Sequence, residues 1–263
     1  MSEKQDSQSA SAKPGTPLKG VNRALQVLEY IAVHKGRAID ISEGLDISWA
    51  TLHRTLQQLE KGGFLQKNPD TNQYSVGSRM WFIGSTYVAD HTSLEAARPY
   101  LERAAETKGI TVQYVEKSGG QSTVLESLHS GEPITKASYG YHFPLHAGSK
   151  GQVLLAYSSD EFIEDYLGQG LNKLTKNTVV DPAVLRDTIN QIREEGYALT
   201  IADVQLFSGS MAAPVFDARG KVIACICFVA RKSFLLKEEN QEILLETLLD
   251  TSQSVSMSLG WRP

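Results

Sequence analysis

The chain has 263 residues, 41% hydrophobic and 21% charged, with a formal net charge of −4, a composition typical of soluble globular proteins. No apolar run approaches the roughly 18 residues of a membrane-spanning helix, so we expect no membrane partner. The charge is unevenly distributed. Residues 19–80 contain eight Lys/Arg and six Asp/Glu, whereas residues 81–263 contain 16 and 22, which is typical of a small DNA-binding head on a larger non-binding domain.

The N-terminal region begins with a polar tail and continues with a helix. Residues 1–18 lack the apolar segment of a secretory signal. They also have too little apolar surface to offset the entropy of ordering, which predicts a disordered tail. The following helix ends at Gly36. Its apolar stripe consists of Val21, Leu25, Leu28, Ile31 and Ala32.

A second helical region and a turn-rich segment complete the head. After the weak helical stretch "AIDISEGL", Ser48 is the expected N-cap of a helix that ends at Gly62 and Gly63. The stretch "FLQKNPDTNQYSV" predicts two short strands joined by a turn. This order of elements is that of a winged helix-turn-helix, and a generic small α/β unit is the alternative.

The helix after Ser48 has one apolar and one polar face. The apolar face consists of Leu52, Leu56 and Leu59, and the opposite face of Ala50, Arg54 and Gln57, with His53 at its edge. A helix fits the major groove of DNA, where arginine pairs bidentately with guanine. Arg54 is therefore the first candidate to read bases, followed by Gln57 and His53. An ordinary solvated helix face is the alternative.

Other polar residues of the head are candidates for contacts with the DNA backbone. The hydroxyls of Ser48 and Thr51 lie near a helix N-terminus, where free N–H groups and the helix dipole favour phosphate. Lys67 and the wing-tip residues Asn68 and Asn72 could reach the backbone or the minor groove. The predicted DNA-contacting residues are Ser48, Trp49, Ala50, Thr51, His53, Arg54, Gln57, Lys67 and Asn72.

Two helical segments follow the head. The first extends from about residue 78 to residue 90, and the second begins with a capping box from Thr92 to Glu95 and ends at Gly109. Pro99 lies inside the second segment, where proline clashes with the preceding turn, so we expect a kink or a fresh helix start there.

The remaining chain mixes helices with hairpins. The stretches "TVQYVEK" and "STVLESLHS" predict one hairpin, and residues 217–220 predict the turn of another. The stretch "PITKASYG" predicts a further strand. One helix is predicted to begin with a capping box from Ser158 to Glu161. Another is predicted between Asp181, its N-cap, and Gly196, where it ends. Hairpins without regular βαβ units indicate an α+β domain on an antiparallel sheet.

Two cysteines lie in the last predicted hairpin. Cys225 and Cys227 are two residues apart in an apolar run and cannot readily bridge each other, so we expect buried strand residues and a reducing cytoplasm.

Seven sequence blocks, in this order, resemble the IclR family of bacterial transcriptional regulators. In the front they are "VNRALQVLEYIA", "TLHRTLQQLEKGGFL" and "YSVGSRM"; in the body they are "ARPYLERAAETKG", "LHAGSKGQVLLAY", "DPAVLRDTINQIREEGYAL" and "MAAPVFDARGKVIA". The resemblance implies a winged helix-turn-helix over residues 19–80, a dimerising linker helix over 81–98 and a GAF-like effector domain over 99–263. It further implies operator binding as a dimer or a dimer of dimers, controlled by a small metabolite.

The head departs from the family pattern at several positions. Asp46 stands where the turn before the recognition helix usually has glycine, and Ala50-Thr51 replaces a Ser-Thr pair. Trp49 replaces a usual basic residue, and it either packs on sugars or covers the core of the head. Gly44 costs the preceding helix about 1 kcal/mol relative to alanine. These changes bear on the operator sequence more than on DNA binding itself.

The resemblance also indicates an effector pocket in the body. The residues it implies are Leu128, Phe143, Ala147, Gly148, Ser149, Lys150, Thr200, Ser210 and Cys227. Some family members hold a carboxylate effector with an acidic or polar residue at the position of Thr200 and a cysteine at that of Ser210. They have serines at the positions of Cys227 and Val229. Lys150 is an unusual cation in this loop, and with backbone N–H groups of the helix start it would suit an anion.

We therefore expect a small organic acid with a sizeable apolar part, aromatic acids included, as the effector. A solvated loop lysine is the alternative for Lys150.

His129, His142 and His146 lack the spacing of metal ligands, so no metal and no cofactor is expected. Two other functions are open: an enzyme that uses Cys227 or Ser210 with a histidine, and a winged-helix interaction module without specific operator binding.

Overall fold

The computed structural model describes residues 19–89, 91–134 and 140–263. These residues belong to two compact units, 1–90 and 91–263, each with its own hydrophobic core. Within the described ranges, no helix is long and apolar enough to cross a membrane. The strand predicted at "PITKASYG" falls largely on residues 135–139, which lie outside the described residues.

The described residues of the first unit, the head, form four helices and a small antiparallel sheet. Its helices are α1 (Lys19–Val33), α2 (Ala38–Leu45), α3 (Trp49–Lys61) and α4 (Ser78–Ala89). Its strands are β1 (Gly36–Arg37), β2 (Leu65–Lys67) and β3 (Gln73–Val76), in the order β1-β3-β2. The β2–β3 hairpin after α3 is the wing, so the predicted winged helix-turn-helix is confirmed.

The core of the head confirms the apolar face of α3 and corrects that of α1. Leu52 and Leu56 are fully buried, as predicted. On α1, Ile31 is buried, but Val21 and Leu25 are about half exposed, at 54% and 52%. Helical periodicity identifies an apolar stripe, but it does not tell how much of that stripe the neighbouring elements cover.

The backbone around α2 explains two unusual residues. A Cβ atom at Gly44 would lie 2.2 Å from the Tyr30 hydroxyl oxygen, so glycine is what lets α2 pack against this ring. Asp46 caps the C-terminus of α2 with a φ of 50°, in the left-handed region that favours glycine. Asp46 therefore keeps the backbone turn of the family pattern at some cost in strain.

The second unit, the body, contains a six-stranded sheet and the remaining helices. Its helices are α5 (Thr92–Ala105), α6 (Gly148–Ala156), α7 (Asp160–Leu167), α8 (Pro182–Glu195), α9 (Lys232–Leu235) and α10 (Glu238–Ser258). Its strands are β4 (Ile110–Ser118), β5 (Gln121–His129), β6 (His142–Pro144), β7 (Ala198–Ile201), β8 (Ser208–Phe216) and β9 (Val222–Arg231). They follow the order β6-β5-β4-β9-β8-β7, with every neighbouring pair antiparallel.

The sheet separates two hydrophobic cores. On one face α5 and α10 pack against Ile226 and Phe228 of β9, and on the other face α6, α7 and α8 pack on the side of Cys225 and Cys227. Side chains alternate between the faces because successive residues of a strand point in opposite directions. Both cysteines are fully buried and free. The α+β class, with an antiparallel sheet flanked by helices, is confirmed.

The helices at the junction agree with the prediction to within a few residues, whereas the predicted domain limits do not coincide with the division into units. The two units divide after residue 90, so the expected boundaries at residues 80 and 98 fall within α4 and α5. Helix α5 continues through Pro99, so of the two expected alternatives, a kink or a fresh helix start, the fresh start was wrong and the kink stays a prediction. Packing of one face into the body core offsets the hydrogen bond that proline removes. That face includes Leu94, Ala97 and Leu101.

Local capping signals predicted both ends of α8 but placed the start of α7 one residue too early. The Asp181 carboxylate accepts hydrogen bonds from two N–H groups at the start of α8, and Gly196 ends that helix with a φ of 78°. The turn at residues 217–220 joins β8 and β9, as predicted. The cap of α7 is Ser159 and not Ser158, because the Ser158 hydroxyl donates backwards to the Leu154 carbonyl.

Candidate DNA-binding face and effector cavity

The polar face of α3 is exposed along its length. Ala50, Arg54 and Gln57 are exposed, and His53 is partly exposed. Because Leu52 and Leu56 anchor the opposite side in the core, this face projects from the head on a rigid element. The arrangement can enter a groove of DNA with polar side chains leading.

The first turn of α3 has internal contacts that the sequence did not reveal. Ser48 is the N-cap residue, and its hydroxyl donates to the Thr51 hydroxyl over 2.9 Å. Trp49 is 52% exposed, and its ring lies 5.8 Å from that of His53. Trp49 therefore does not cover the core of the head. It leaves an aromatic surface beside His53 that can pack on sugars.

A cleft between α1 and α3 brings two arginines together. Arg54 lines it from α3 and Arg23 from α1. In the described part of the chain neither guanidinium has an acidic partner within 4 Å. Sequence reasoning missed Arg23, because its position one turn before the buried Val27 acquires a meaning only once α3 packs beside α1. The cleft is a basic surface suited to phosphate.

The wing has a rigid tip. The Asn68 side-chain oxygen accepts hydrogen bonds from the N–H groups of Asp70 and Thr71, at 2.9 and 3.0 Å. Asn72 adopts a left-handed backbone with a φ of 56°. Lys67 and Asn72 are exposed, so both remain able to contact DNA, whereas Asn68 chiefly shapes the turn.

In the body, a cavity opens beside the start of α6. Of the predicted effector residues, five line it: Phe143, Gly148, Lys150, Thr200 and Ser210. Ala147, Ser149 and Cys227 are fully buried behind this lining. Six further lining residues were not in the predicted set: Asp203, Val204, Gln205, Ser208, Gly209 and Val229. The cavity itself has a volume of about 30 Å³, room for about one water molecule and far below the range for small-molecule sites, so an organic acid would require the surrounding side chains to move apart.

Leu128, the remaining predicted residue, does not belong to this cavity. It pairs with Val112 and packs against the core on the α5 and α10 face of the sheet. The neighbouring residues Gln113 and Ser127 lie on the α6 face, where their side chains are 3.5 Å apart. A family resemblance locates the strand, but a shift of one residue moves a side chain to the other face.

A connected group of hydroxyls backs the cavity. The Ser149 hydroxyl donates to the Ser210 hydroxyl over 2.8 Å, and the hydroxyls of Ser210 and Thr200 are 3.2 Å apart. The Cys227 sulfur lies 3.8 Å from the Ser149 oxygen. Burial raises the pKa of the Cys227 thiol, which therefore stays neutral and is a poor nucleophile. The group is polar and satisfied rather than reactive.

The N-terminus of α6 is already capped by the protein. The Gly148 N–H donates to the Asp203 carboxylate over 2.7 Å, and the Ser149 N–H donates to the Thr200 hydroxyl over 3.1 Å. The expectation that these backbone groups would hold an anion was wrong, because side chains distant in the chain occupy them. An anion in this cavity would depend on Lys150 instead.

Lys150 is buried, so the alternative of a solvated loop lysine was wrong. Its side chain is 6% exposed, donates to the Gln113 amide oxygen over 2.9 Å and lies 4.2 Å from the centre of the Phe143 ring. Among the described residues no carboxylate lies within 4 Å of it. Burial lowers its pKa. A buried cation without a counter-ion is costly, and an anionic ligand would remove that cost.

The histidines near the cavity have structural partners. His146 is buried, with one ring nitrogen 2.9 Å from the Tyr166 hydroxyl and the other 2.9 Å from the Asn172 carbonyl. His142 lies 2.9 Å from the Thr123 hydroxyl. Both rings are held in hydrogen bonds that fix their orientation.

Comparison with known proteins agrees with this architecture. The model of the IclR helix-turn-helix domain matches residues 20–69, and that of the bacterial transcriptional regulator IclR C-terminal domain matches residues 85–257. The chain is 26% identical over 246 residues to the HTH-type transcriptional repressor AllR of Escherichia coli (strain K12), covering 92% of this chain and 90% of AllR.

Two solved structures share the fold. An IclR transcriptional regulator from Alicyclobacillus acidocaldarius superposes with a TM-score of 0.77 at 24% identity, over 93% of this chain and all of the other. An IclR homolog from Microbacterium hydrocarbonoxydans, complexed with 4-hydroxybenzoate, gives 0.75 at 24% identity, over 91% of this chain and 98% of the other. With both of its domains matched in order, the chain belongs to the IclR family of bacterial transcriptional regulators.

Proposed function

We propose that this protein controls transcription in the cytoplasm by binding operator DNA through α3 and the wing, and that a small organic acid in the body cavity changes this binding. The observation that carries the sensing part is Lys150, a buried cation that lines a cavity and has no acidic partner among the described residues.

In the head, Arg54 is the base reader that the geometry favours. It lies on the exposed face of α3, with Gln57 one turn further along and His53 beside it. Arg23 shares its cleft and contacts phosphate in this proposal, because it approaches from α1 rather than from the helix in the groove. Lys67 and Asn72 add backbone contacts from the wing.

In the cavity, Lys150 pairs with the ligand's carboxylate. Phe143 and Val229 form apolar walls, and Thr200 and Ser210 offer hydroxyls. This combination suits an organic acid with an apolar part. The 4-hydroxybenzoate in the Microbacterium homolog is an aromatic acid and supports this ligand class. Because Cys227 is neutral and His146 is engaged in two hydrogen bonds, we propose that the body binds its ligand without turning it over.

A second copy of the chain is the remaining partner in this proposal. Three consecutive apolar residues of α4 are exposed: Trp81 at 79%, Phe82 at 62% and Ile83 at 45%. Contiguous exposed apolar surface on this scale is unusual in a monomer. Pairing of α4 with α4 of another copy would bury it and place two heads on one operator.

The test is a titration of purified protein onto the DNA upstream of its own gene, and onto random DNA, at two salt concentrations. Specific binding with a steep salt dependence is expected, since phosphate contacts release counter-ions. Organic acids are then screened for release or tightening of the complex. Lys150→Met should abolish the acid response, and Lys173→Met, an exposed lysine of the same domain, should leave it intact.

Equal and weak binding to both DNAs, with and without acids, would contradict operator recognition and favour an interaction module. Consumption of an acid during prolonged incubation would contradict the absence of turnover.

A further inference from the structure

A second opening in the body, the aromatic cleft, is lined by the side chains of Tyr157, Phe216 and Trp261. Its volume is about 320 Å³, within the range of small-molecule sites. The Tyr157 ring stands at 88° to the Phe216 ring with centroids 5.7 Å apart, and the Trp261 ring stacks on Phe216 at 5.1 Å. All three residues are only partly buried. Of the residues that the structure describes, none lines both this cleft and the cavity beside α6.

The cleft opens along the edge of β8. Strand β7 pairs along β8 only as far as Ala212, so the last four residues of β8 have no strand on that side in the described chain. Helix α10 satisfies this edge instead. The Ser252 hydroxyl donates to the Pro214 carbonyl, and the Ser256 hydroxyl accepts the Phe216 N–H over 3.0 Å. These polar groups of the wall are therefore already used by the fold.

Three helices end at the aromatic cleft. Tyr157 is the C-cap residue of α6 and Gly196 that of α8, and both line the cleft. Helix α10 ends at its C-cap Leu259, between the lining residues Ser256 and Trp261. A helix C-terminus carries a partial negative charge on its last carbonyl groups. The helix ends therefore favour a positively charged ligand.

The charged side chains around the cleft do not reverse this preference. No charged residue lines the cleft in the part of the chain that the structure describes. Arg193, in the last turn of α8, donates to the Ala156 carbonyl over 2.6 Å and pairs with the Asp160 carboxylate at 3.0 Å. Its charge is therefore compensated, and it caps α6, which leaves α8 and α10 as the main sources of negative potential.

We propose that the aromatic cleft binds a small organic cation of the quaternary or methylated ammonium class, held by the three aromatic rings and by the C-terminal ends of α8 and α10. A primary ammonium is strongly hydrated and needs acceptors for three N–H groups. A quaternary ammonium has no N–H, and aromatic ring faces attract it. The side chain of Gln253, exposed at the cleft and without a hydrogen-bond partner among the described residues, can bind a polar substituent. This site does not rest on the acid-sensing function proposed above.

Calorimetric titration of the full-length protein with choline, tetramethylammonium and 3,3-dimethylbutanol tests the proposal. The last compound is the neutral isostere of choline, with carbon in place of the charged nitrogen. Choline should bind at least about 10-fold more tightly than the isostere. Trp261→Leu should weaken choline binding by about 10-fold, and Trp261→Phe should weaken it less, because a ring face remains. Tyr141→Leu, which removes an exposed aromatic side chain outside the cleft, should leave choline binding unchanged.

A charge placed at residue 253 gives a second readout. Gln253 is exposed on α10, so the core tolerates its substitution. Gln253→Glu should tighten choline binding and Gln253→Lys should weaken it, each by about 3-fold at low salt. Neither substitution should change the binding of the neutral isostere. These two variants decide the question if Trp261→Leu does not fold.

The remaining outcomes would overturn the proposal. Equal binding of choline and its isostere, lost in Trp261→Leu, would make the cleft an apolar site without preference for a cation. Choline binding that survives Trp261→Leu and is insensitive to the charge at residue 253 would place the cation elsewhere. If neither cation binds the wild type, the proposal is refuted. A weaker self-association of Trp261→Leu in ultracentrifugation would then show that a second copy of the chain covers the cleft.

Discussion

The Lys150 ammonium donates a 2.9 Å hydrogen bond to the Gln113 amide oxygen, joining the first turn of α6 to the middle strands of the sheet. An amide oxygen is a neutral partner, so it stabilises the proton on Lys150 without cancelling the charge. Among the described residues of the body, no carboxylate lies within 4 Å of this buried amine. This relationship leads to predictions about both stability and ligand binding.

The stability of the free protein should rise with pH because of Lys150. Burial lowers the pKa of Lys150 below its ordinary value of 10.5, so the unfolded chain binds more protons between the folded and unfolded pKa values. Stability therefore increases as pH rises through that window. Lys150→Met should remove this increase and stabilise the free protein at neutral pH by about 1–4 kcal/mol. Urea unfolding from pH 7 to 10 measures both, with Lys173→Met as control. Parallel pH profiles for wild type and Lys150→Met would contradict the assignment.

Arg54 and Arg23 should differ in what they contribute to DNA binding. Arg54→Ala should weaken specific binding by about 1–3 kcal/mol and affect random DNA less, because it removes a base contact. Arg23→Ala should weaken both nearly equally and reduce the salt slope by about 1, because it removes a phosphate contact. Fluorescence anisotropy at several salt concentrations measures these quantities. If Arg54→Ala lost the same binding free energy on operator and random DNA, Arg54 would contact the DNA backbone and not a base.

Gly44 should be intolerant of alanine only while Tyr30 is present. The clash of a Cβ with the Tyr30 ring, at 2.2 Å from the hydroxyl oxygen, should cost the head about 1–3 kcal/mol. In a Tyr30→Ala background the same substitution should become stabilising by up to about 1 kcal/mol, since alanine favours the helix. A double-mutant cycle by thermal unfolding reports the difference. An unchanged cost in both backgrounds would rule out the steric explanation.

Self-association should depend on the exposed face of α4. Replacing Trp81 and Phe82 by serine removes two large apolar side chains that we expect to be buried between copies. Each is worth about 1.5–3 kcal/mol when buried, so the dimer dissociation constant should rise at least 100-fold. Analytical ultracentrifugation measures it. Leu174→Ser, which removes an exposed apolar side chain of the body, is the matched control. A dimer unaffected by the α4 changes would place the interface elsewhere.

Much of the fold followed from local patterns. Asp181 and Gly196 marked both ends of α8, since a capping carboxylate and a left-handed glycine act within a few residues. The leucines of α3 identified its buried face and therefore its exposed one. The charge distribution and the order of elements suggested a DNA-binding head before a larger domain, and the blocks that resemble the IclR family identified the larger domain as an effector domain.

Long-range packing decided the rest. Leu128 lies on the sheet face away from the cavity because strand register, set by neighbouring strands, determines where each side chain points. The burial of Lys150 and the arrival of Asp203 at Gly148 depend on contacts between residues far apart in the chain. The sequence alone determined that a DNA-binding head precedes an effector domain. Only the tertiary structure decided which charges that domain leaves unpaired, because burial and pairing are properties of the folded interior.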